Sequence, residues 1–497
     1  MKFTIIPKVA ALLLVTTALL VSCTKNFEEL NTDPNRPKEV TPGVMLGQMQ
    51  YKFVTRSIDG SRRFTHELMQ VTAPRSSVNG GIHRYVITPS SNDFLWTGFY
   101  TSLTDVQDMY NIASKLNESN YMAISLIYKS WAYSILTDAF GDLPYSQSTQ
   151  ASTGVLKPAF DQQKDIYPQI LKDLATANTL LNNTKALTYG GDFLYNANTL
   201  TGSTNEGINR WKKFCNSLRL RLLLRISKRS GEIDVNSEIN AILADPVKNP
   251  VFTSTADDAI FRFPGTFPFF NPYYNARLSD WRQGDYYTKL FINKMNTDED
   301  PRRAVWATQV AVNGANVYQG IDSGYPSSTE YVVDKNSSYS DGLKTLPQLG
   351  IMMTYAEVEF IKAELALKGF ATGNPPQKHY ENGITASMAQ WGVALPAGYL
   401  QKAGVAYNSG AGIDAQLQQI MLQKYYAFYF VDYQSWFEKR RTGYPVLPRG
   451  AGIPDGNLFP SRCPYPVYLQ SLNPDNLAKA VTVMGGDNSN VKVWWDK

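Results

Sequence analysis

The densest collection of side chains able to hold a ligand lies in FRFPGTFPFFNPYYNARLSDWRQGDYY, Phe261 to Tyr287. There Phe267, Phe269, Phe270, Tyr273, Tyr274 and Trp281 are interleaved with Asn271, Asn275, Arg277 and Arg282. Aromatic planes supply stacking area at low entropic cost, and Asn and Arg direct hydrogen bonds to hydroxyls or carbonyls. Six large rings exceed what one loop usually buries, so this segment is the first candidate for a ligand-binding surface. The stretch from Arg84 and Tyr85 to Trp96 is a candidate opposite wall, although Trp96 reads first as core. Asp298-Glu299-Asp300 could hold a cation, but Arg302 and Arg303 beside it favour a turn with local Arg pairing. Three histidines (His66, His83, His379) and three cysteines are too scattered for metal chemistry, and no cofactor is implied. The chain lacks the G-x-S-x-G, H-E-x-x-H, P-loop and dinucleotide fingerprints. A glycosidase needs only two placed carboxylates, which keeps a surface hydrolase open as an alternative to a non-catalytic binding protein.

The elements that must carry such a site are helical. Asn209–Ser230 has Asn209 as a credible N-cap and runs without Gly or Pro to Gly231. Trp211, Phe214, Cys215, Leu218, Leu222 and Ile226 fall on one face, while Leu220, Leu223 and Leu224 fall on the other. A helix apolar on two faces is sandwiched between neighbours. Arg221 and Arg225 sit one turn apart at the edge of the first face and need carboxylate partners if buried. Glu357 and Glu364, on a helix opened by a Thr354/Glu357 capping box and closed by Gly369, are the candidates. Ala356, Ala363 and Ala366 would let that helix approach its neighbours closely. Further helices are predicted from Pro42, from Phe94, over Tyr121–Phe140 and over Lys164–Asn182. Another runs from an Asp414 cap through Val431 and on to Arg441, stopping at Gly443. Arg84–Ile87 is a candidate strand, and Thr184–Gly207 a surface loop. Residues 246–350 form the longest stretch without helical period, broken by short candidates such as Tyr287–Met295.

Charged residues make up 18% and aromatics 12% of the 497, which fits an extracytoplasmic globular protein with long aromatic loops. The net charge of +5 is no polybasic surface, so no nucleic-acid partner is expected. Lys2, Lys8 and the apolar run Val9–Val21 read as an export signal, residues 1–22, too short to serve as a span. Leu20-Val21-Ser22-Cys23 resembles a bacterial lipobox, in which Cys23 is acylated and becomes the mature N-terminus. Residues 23–40 then form a lipidated tether, kept extended by the Asp33-Pro34 and Arg36-Pro37 steps, and 41–497 a single domain.

W-x-K-F-x-N-S-L-R-x-R-x-x-x-R-I from Trp211 resembles the central helix of the SusD/RagB family of nutrient-binding outer-membrane lipoproteins. Phe27-x-x-Leu30-Asn31-Thr32-Asp33-Pro34-Asn35-x-Pro37, TDAFGDLPYSQ from Thr137, TYAEVEFIKAELALKG from Thr354 and W-x-E-x-R-R-T-G-Y-P from Trp436 are similar to further family motifs. The resemblance is weakest at 184–207 and 246–350. It implies a mainly α, tetratricopeptide-like helical-repeat scaffold with long loop insertions and a few short strands. It also implies a non-catalytic protein, lipid-anchored in the outer membrane and facing outward. In that role the protein captures an oligosaccharide, or an oligopeptide, and passes it to a SusC-like TonB-dependent transporter.

Overall fold

In the computed structural model, which describes residues 40–76 and 81–497, the apolar stripes of the N-terminal half become six helices. They are α1 (Pro42–Gly60), α2 (Asp93–Lys115), α3 (Ser119–Phe140), α4 (Gln163–Leu180), α5 (Glu206–Arg225) and α6 (Val235–Ala244). The C-terminal half holds α7 (Lys289–Thr297), α8 (Tyr355–Leu367), α9 (Pro376–Gln390), α10 (Ile413–Ala427), α11 (Gln434–Thr442) and α12 (Pro474–Met484). Cys23 and the tether lie outside the described residues. Each of α2 to α6 packs on the next, and α8, α9 and α10 form a second array that meets the first where α8 contacts α5. This is the mainly α, stacked-pair scaffold that the sequence predicts. Gly383 shows how closely the second array is drawn together: a Cβ there would stand 2.7 Å from the Phe360 ring.

Short antiparallel pairs stitch the loops. β1 (Thr72–Pro74) pairs with β3 (Asp285–Tyr287), β2 (Ala259–Phe261) with β6 (Gly350–Met353), and β4 (Val310–Val312) with β5 (Ala315–Val317). Among the described residues no helix is long and apolar enough to cross a membrane.

Four sequence expectations change. The N-cap of α5 is Asn205, whose side chain accepts the Ile208 N–H, so the helix starts a turn before Asn209. Gly207 is inside that first turn because the Ala197 backbone presses on it, 2.6 Å from where a Cβ would stand. At the other end α5 stops at Arg225 and passes into a 3-10 turn at Ser227–Arg229. The helix expected from Asp414 to Arg441 is two. Gly412 caps α10 and Asp414 lies in its first turn. The chain then breaks at 428–433, where Phe430 and Asp432 take positive φ and the Phe430 N–H donates to His66 Nε2. The strand expected at Arg84–Ile87 does not form: Arg84 ends a 3-10 turn at Ile82–Arg84, Tyr85 follows at φ 59, and the pairing is a single bridge between Gly81 and Val86. The loop 184–207 is not wholly superficial. Its Asp192 is buried, accepting hydrogen bonds from Gln50 Nε2 and Trp211 Nε1 at 2.9 Å each.

The charges of α5 find their partners inside. Arg221 grips Glu357 with two bonds of 2.6 and 2.5 Å and gives a third to the Met352 carbonyl. Thr354 Oγ1 caps the Glu357 N–H, but the Glu357 carboxylate turns to Arg221, so the capping box closes on one side. Arg225 does not reach Glu357 or Glu364. It bonds Gln434 Oε1 at 2.7 Å and lies 3.5 Å from Glu438 and 3.7 Å from Asp138. Glu364 instead takes two bonds from Arg441 and one from Lys368. Burial raises the energy of the charged Glu364 carboxylate, yet these cations outweigh it and hold its pKa well below the ordinary glutamate value. The acidic triplet also resolves into separate pairs: Asp298 with Lys294, Glu299 with Lys402 and buried Asp300 with Arg302.

Arg221→Met would leave Glu357 buried without its cation. A loss of ~3–5 kcal/mol is expected, read as a lowered Tm. A variant that melts with the parent would show that α8 does not depend on this pair.

Candidate ligand-binding site

The irregular segments on the scaffold enclose two clefts that meet at Lys289 and Tyr331. One, of about 520 Å³, is bounded by Gln70, Asp322, Tyr325, Pro448 and Arg449; the other, of about 620 Å³, by Asn293, Tyr318, Gln319, Lys335 and Asn336. Each is of the size that small ligands occupy, and together they make one groove.

Lys289 opens α7. Thr288 caps that helix through a hydrogen bond from the Phe291 N–H, and its own N–H donates to the Val71 carbonyl. The Lys289 N–H bonds Ile321 O at 2.7 Å, and its ammonium lies 2.8 Å from Asp322, which holds it above the ordinary lysine pKa. Gly320 permits this approach, since a Cβ there would stand 2.6 Å from the Thr288 backbone. Tyr331 is fixed by its N–H to Arg75 O, by the Asp322 N–H donating to its hydroxyl, and by edge contact with Tyr325 at 5.2 Å. Glu330 pairs with Arg75. The backbones of Gly450 and Gly452 press directly on Ser323–Tyr325, which joins the two loops that wall the first cleft.

Beneath that wall His83 Nδ1 accepts the Gly324 N–H at 3.0 Å, and Glu67 Oε1 accepts the His83 N–H at 2.9 Å. Burial lowers the His83 pKa to about 4 and raises that of Glu67 to about 7. A neutral imidazole is what an acceptor nitrogen requires, so burial and hydrogen bond agree.

The arrangement suits recognition. Tyr318 and Tyr331, both half-buried, offer ring surface; Asn293 offers an exposed amide, and Gln319, held through its amide nitrogen by Lys335 O and Asn336 Oδ1, offers its side-chain oxygen to hydroxyls. Asp322 and Glu330 are each engaged by a cation, whereas glycoside hydrolysis needs one carboxyl kept protonated.

The residues singled out from sequence are distributed differently. Phe267 is 88% exposed and Tyr274 47% exposed. Phe270 stacks on Tyr274 at 5.0 Å, and Phe269 packs on Phe193 at 4.8 Å, both half-buried. Tyr273 and Trp281 are buried, clasping the Arg62 guanidinium at 5.2 and 5.0 Å, so their faces are already used. Tyr85 is buried against Phe459, and Trp96 is buried among Tyr100, Phe140 and Tyr465. Arg84 is buried as well. The expected opposite wall is therefore interior. The groove residues escaped sequence reading because they come from four separated segments; Gly320, Gly324, Gly450 and Gly452 were the signal available.

A profile of starch-binding proteins that associate with the outer membrane, the SusD-like family, matches residues 34–466. The chain belongs to this family. A SusD homolog from Bacteroides fragilis is similar over 92% of this chain and all of its own, with 27% identity and a TM-score of 0.75. One from Bacteroides uniformis has 25% identity and a TM-score of 0.77, with the same coverage. A chitin-binding protein is similar at 26% identity and a TM-score of 0.75, over 92% of this chain and all of that one. No curated protein matches.

Glu67 yields a pH prediction. Its folded pKa is raised, so the stability it contributes is complete below its ordinary value of 4.5 and is lost as pH rises through about 7. Glu67→Gln keeps an acceptor for the His83 N–H and removes the ionisation. It is expected to match the parent Tm at pH 4 and exceed it at pH 8. Equal Tm values at pH 8 would contradict the raised pKa.

Proposed function

We propose that this SusD-like chain is a non-catalytic cell-surface protein that captures an oligosaccharide in the Lys289–Tyr331 groove and passes it to a SusC-like TonB-dependent transporter. The observation that carries the reading is the groove itself: tyrosine rings and amides on a fixed floor, with its two carboxylates each beside a cation. Similarity to a chitin-binding protein supports a glycan as the ligand. In this reading residues 1–22 are removed, acylated Cys23 and the tether to residue 40 anchor the protein to the outer membrane facing outward, and 41–497 form the binding domain. Each acyl methylene buried in the bilayer contributes ~0.8 kcal/mol, so several chains hold the protein without a span.

The open rings Phe267, Phe269, Phe270 and Tyr274 remain a second proposed contact surface, favoured by the full exposure of Phe267 beside the stacked Phe270–Tyr274 pair.

Tyr331→Ala and Phe267→Ala, measured together for glycan affinity and Tm, separate the two surfaces. The groove reading expects Tyr331→Ala to weaken binding by ~1–3 kcal/mol at little change in Tm, with Phe267→Ala near the parent. The reverse pattern would move the site to the aromatic loop. For the anchor, Cys23→Ala is expected to shift the protein from the membrane to the soluble fraction; unchanged fractionation would refute acylation at Cys23.

A further inference from the structure

The charges around the groove do not cancel, and the imbalance names a ligand chemistry. Its two lining carboxylates are both spoken for: Asp322 by Lys289 at 2.8 Å and Glu330 by Arg75 at 2.5 Å. Two lining cations remain, and a third lies against the Tyr318 ring. Arg449 lines the first cleft, and its guanidinium donates to the backbone carbonyls of Asn457 and Pro454 at 2.9 and 2.7 Å. Carbonyls orient it without neutralising it. Lys335 lines the second cleft. Arg303 lies 5.2 Å from the centre of the Tyr318 ring and bonds the Asn296 side chain and the Met295 carbonyl. Among the described residues none of these three forms an ion pair with a carboxylate. Asp334, adjacent to Lys335 in sequence, accepts from Gln283 Nε2, keeps its negative charge and forms no ion pair with Lys335.

The groove thus has paired charge at its middle, where Lys289 and Tyr331 join the two clefts, and unpaired positive charge in each cleft beyond. We infer that it selects a carboxylate-bearing oligosaccharide, one built with uronic acid units, over a neutral one. The inference rests on the groove being the glycan site. Tyr318 and Tyr331 would stack on sugar rings, while Arg449 and Lys335 would meet carboxylates on units further along the chain. An arginine already held in place loses little freedom on meeting a planar carboxylate, which its fork matches. Opposite charges near a surface are screened by salt, so the preference must weaken as ionic strength rises.

The test is titration calorimetry on the full-length protein in detergent, with tetragalacturonate, maltotetraose, chitotetraose and tetraglutamate as probes. Tetragalacturonate is expected to bind roughly tenfold more tightly than either neutral tetrasaccharide, with an affinity that falls as salt is raised. Arg449→Met combined with Lys335→Met should erase that preference, bringing the affinity for tetragalacturonate down to that of the neutral tetrasaccharides measured on the same variant. Tyr331→Ala should weaken acidic and neutral glycans alike. Neutral tetrasaccharides binding as tightly as tetragalacturonate, or a double variant that keeps the preference, would overturn the acidic-ligand inference while leaving the groove reading intact. Tetraglutamate binding as tightly as tetragalacturonate would overturn the sugar class. If Tyr331→Ala changes nothing, or no glycan binds, the groove reading falls with it.

Discussion

Two guanidinium groups on a helix with almost no solvent face set the terms for the rest of this structure. Arg221 and Arg225 project from α5 into surroundings where an unpaired charge is costly, so three of the helices around it, α3, α8 and α11, must each bring an acceptor to a fixed place. Glu357 brings the start of α8, Gln434 and Glu438 bring α11, and Asp138 brings α3. Arg441 then ties α11 back to α8 through Glu364, and Lys424 of α10 joins through Glu438. Replacing such pairs with apolar groups is often neutral or stabilising, so their net contribution is small compared with the surrounding core. We read them as fixing register, since a helix shifted by one turn would strand several charges at once.

That register reaches the groove through the break between α10 and α11. The Tyr429 hydroxyl shares a 2.5 Å hydrogen bond with that of Tyr287, the last residue of β3 and neighbour of the Thr288 cap. His66 stacks on Tyr429 at 5.0 Å and bonds Tyr339, whose hydroxyl meets Thr72 of β1. The short β1–β3 ladder consequently stands on the scaffold. Lys289, Ile321 and Tyr331 are positioned from it by backbone bonds rather than by loose side chains. A binding surface built this way is pre-organised, which limits the ordering cost of capturing a flexible ligand.

The sequence was informative wherever one element carried its own signal. The two-faced apolar pattern of α5, the Thr354 cap and the Gly369 stop of α8, and the local pairing of Asp300 with Arg302 all follow from neighbours within a few residues. It misled where a distant contact decided. Nothing near Phe430 announces a break, because His66 supplies the acceptor that stabilises it. Arg225 and Glu364 look like partners by periodicity, but Arg441 and Gln434 are nearer in space. The aromatic segment 261–287 stands out by composition, yet Arg62 draws Tyr273 and Trp281 inward as a cation cage. Composition cannot tell a ring that holds an arginine from one that holds a sugar. The groove itself comes from the segments near 70, 289, 318–336 and 449, so no single window contains it.

Whether a glycan lies across Lys289 and Tyr331 is decided by a crystal structure of the protein with a bound oligosaccharide. Sugar density is expected in the groove, with a ring against Tyr331 and hydroxyls within hydrogen-bond distance of Gln319 or Asn293. Density seated on Phe267 and Tyr274, with the groove holding solvent alone, would contradict it.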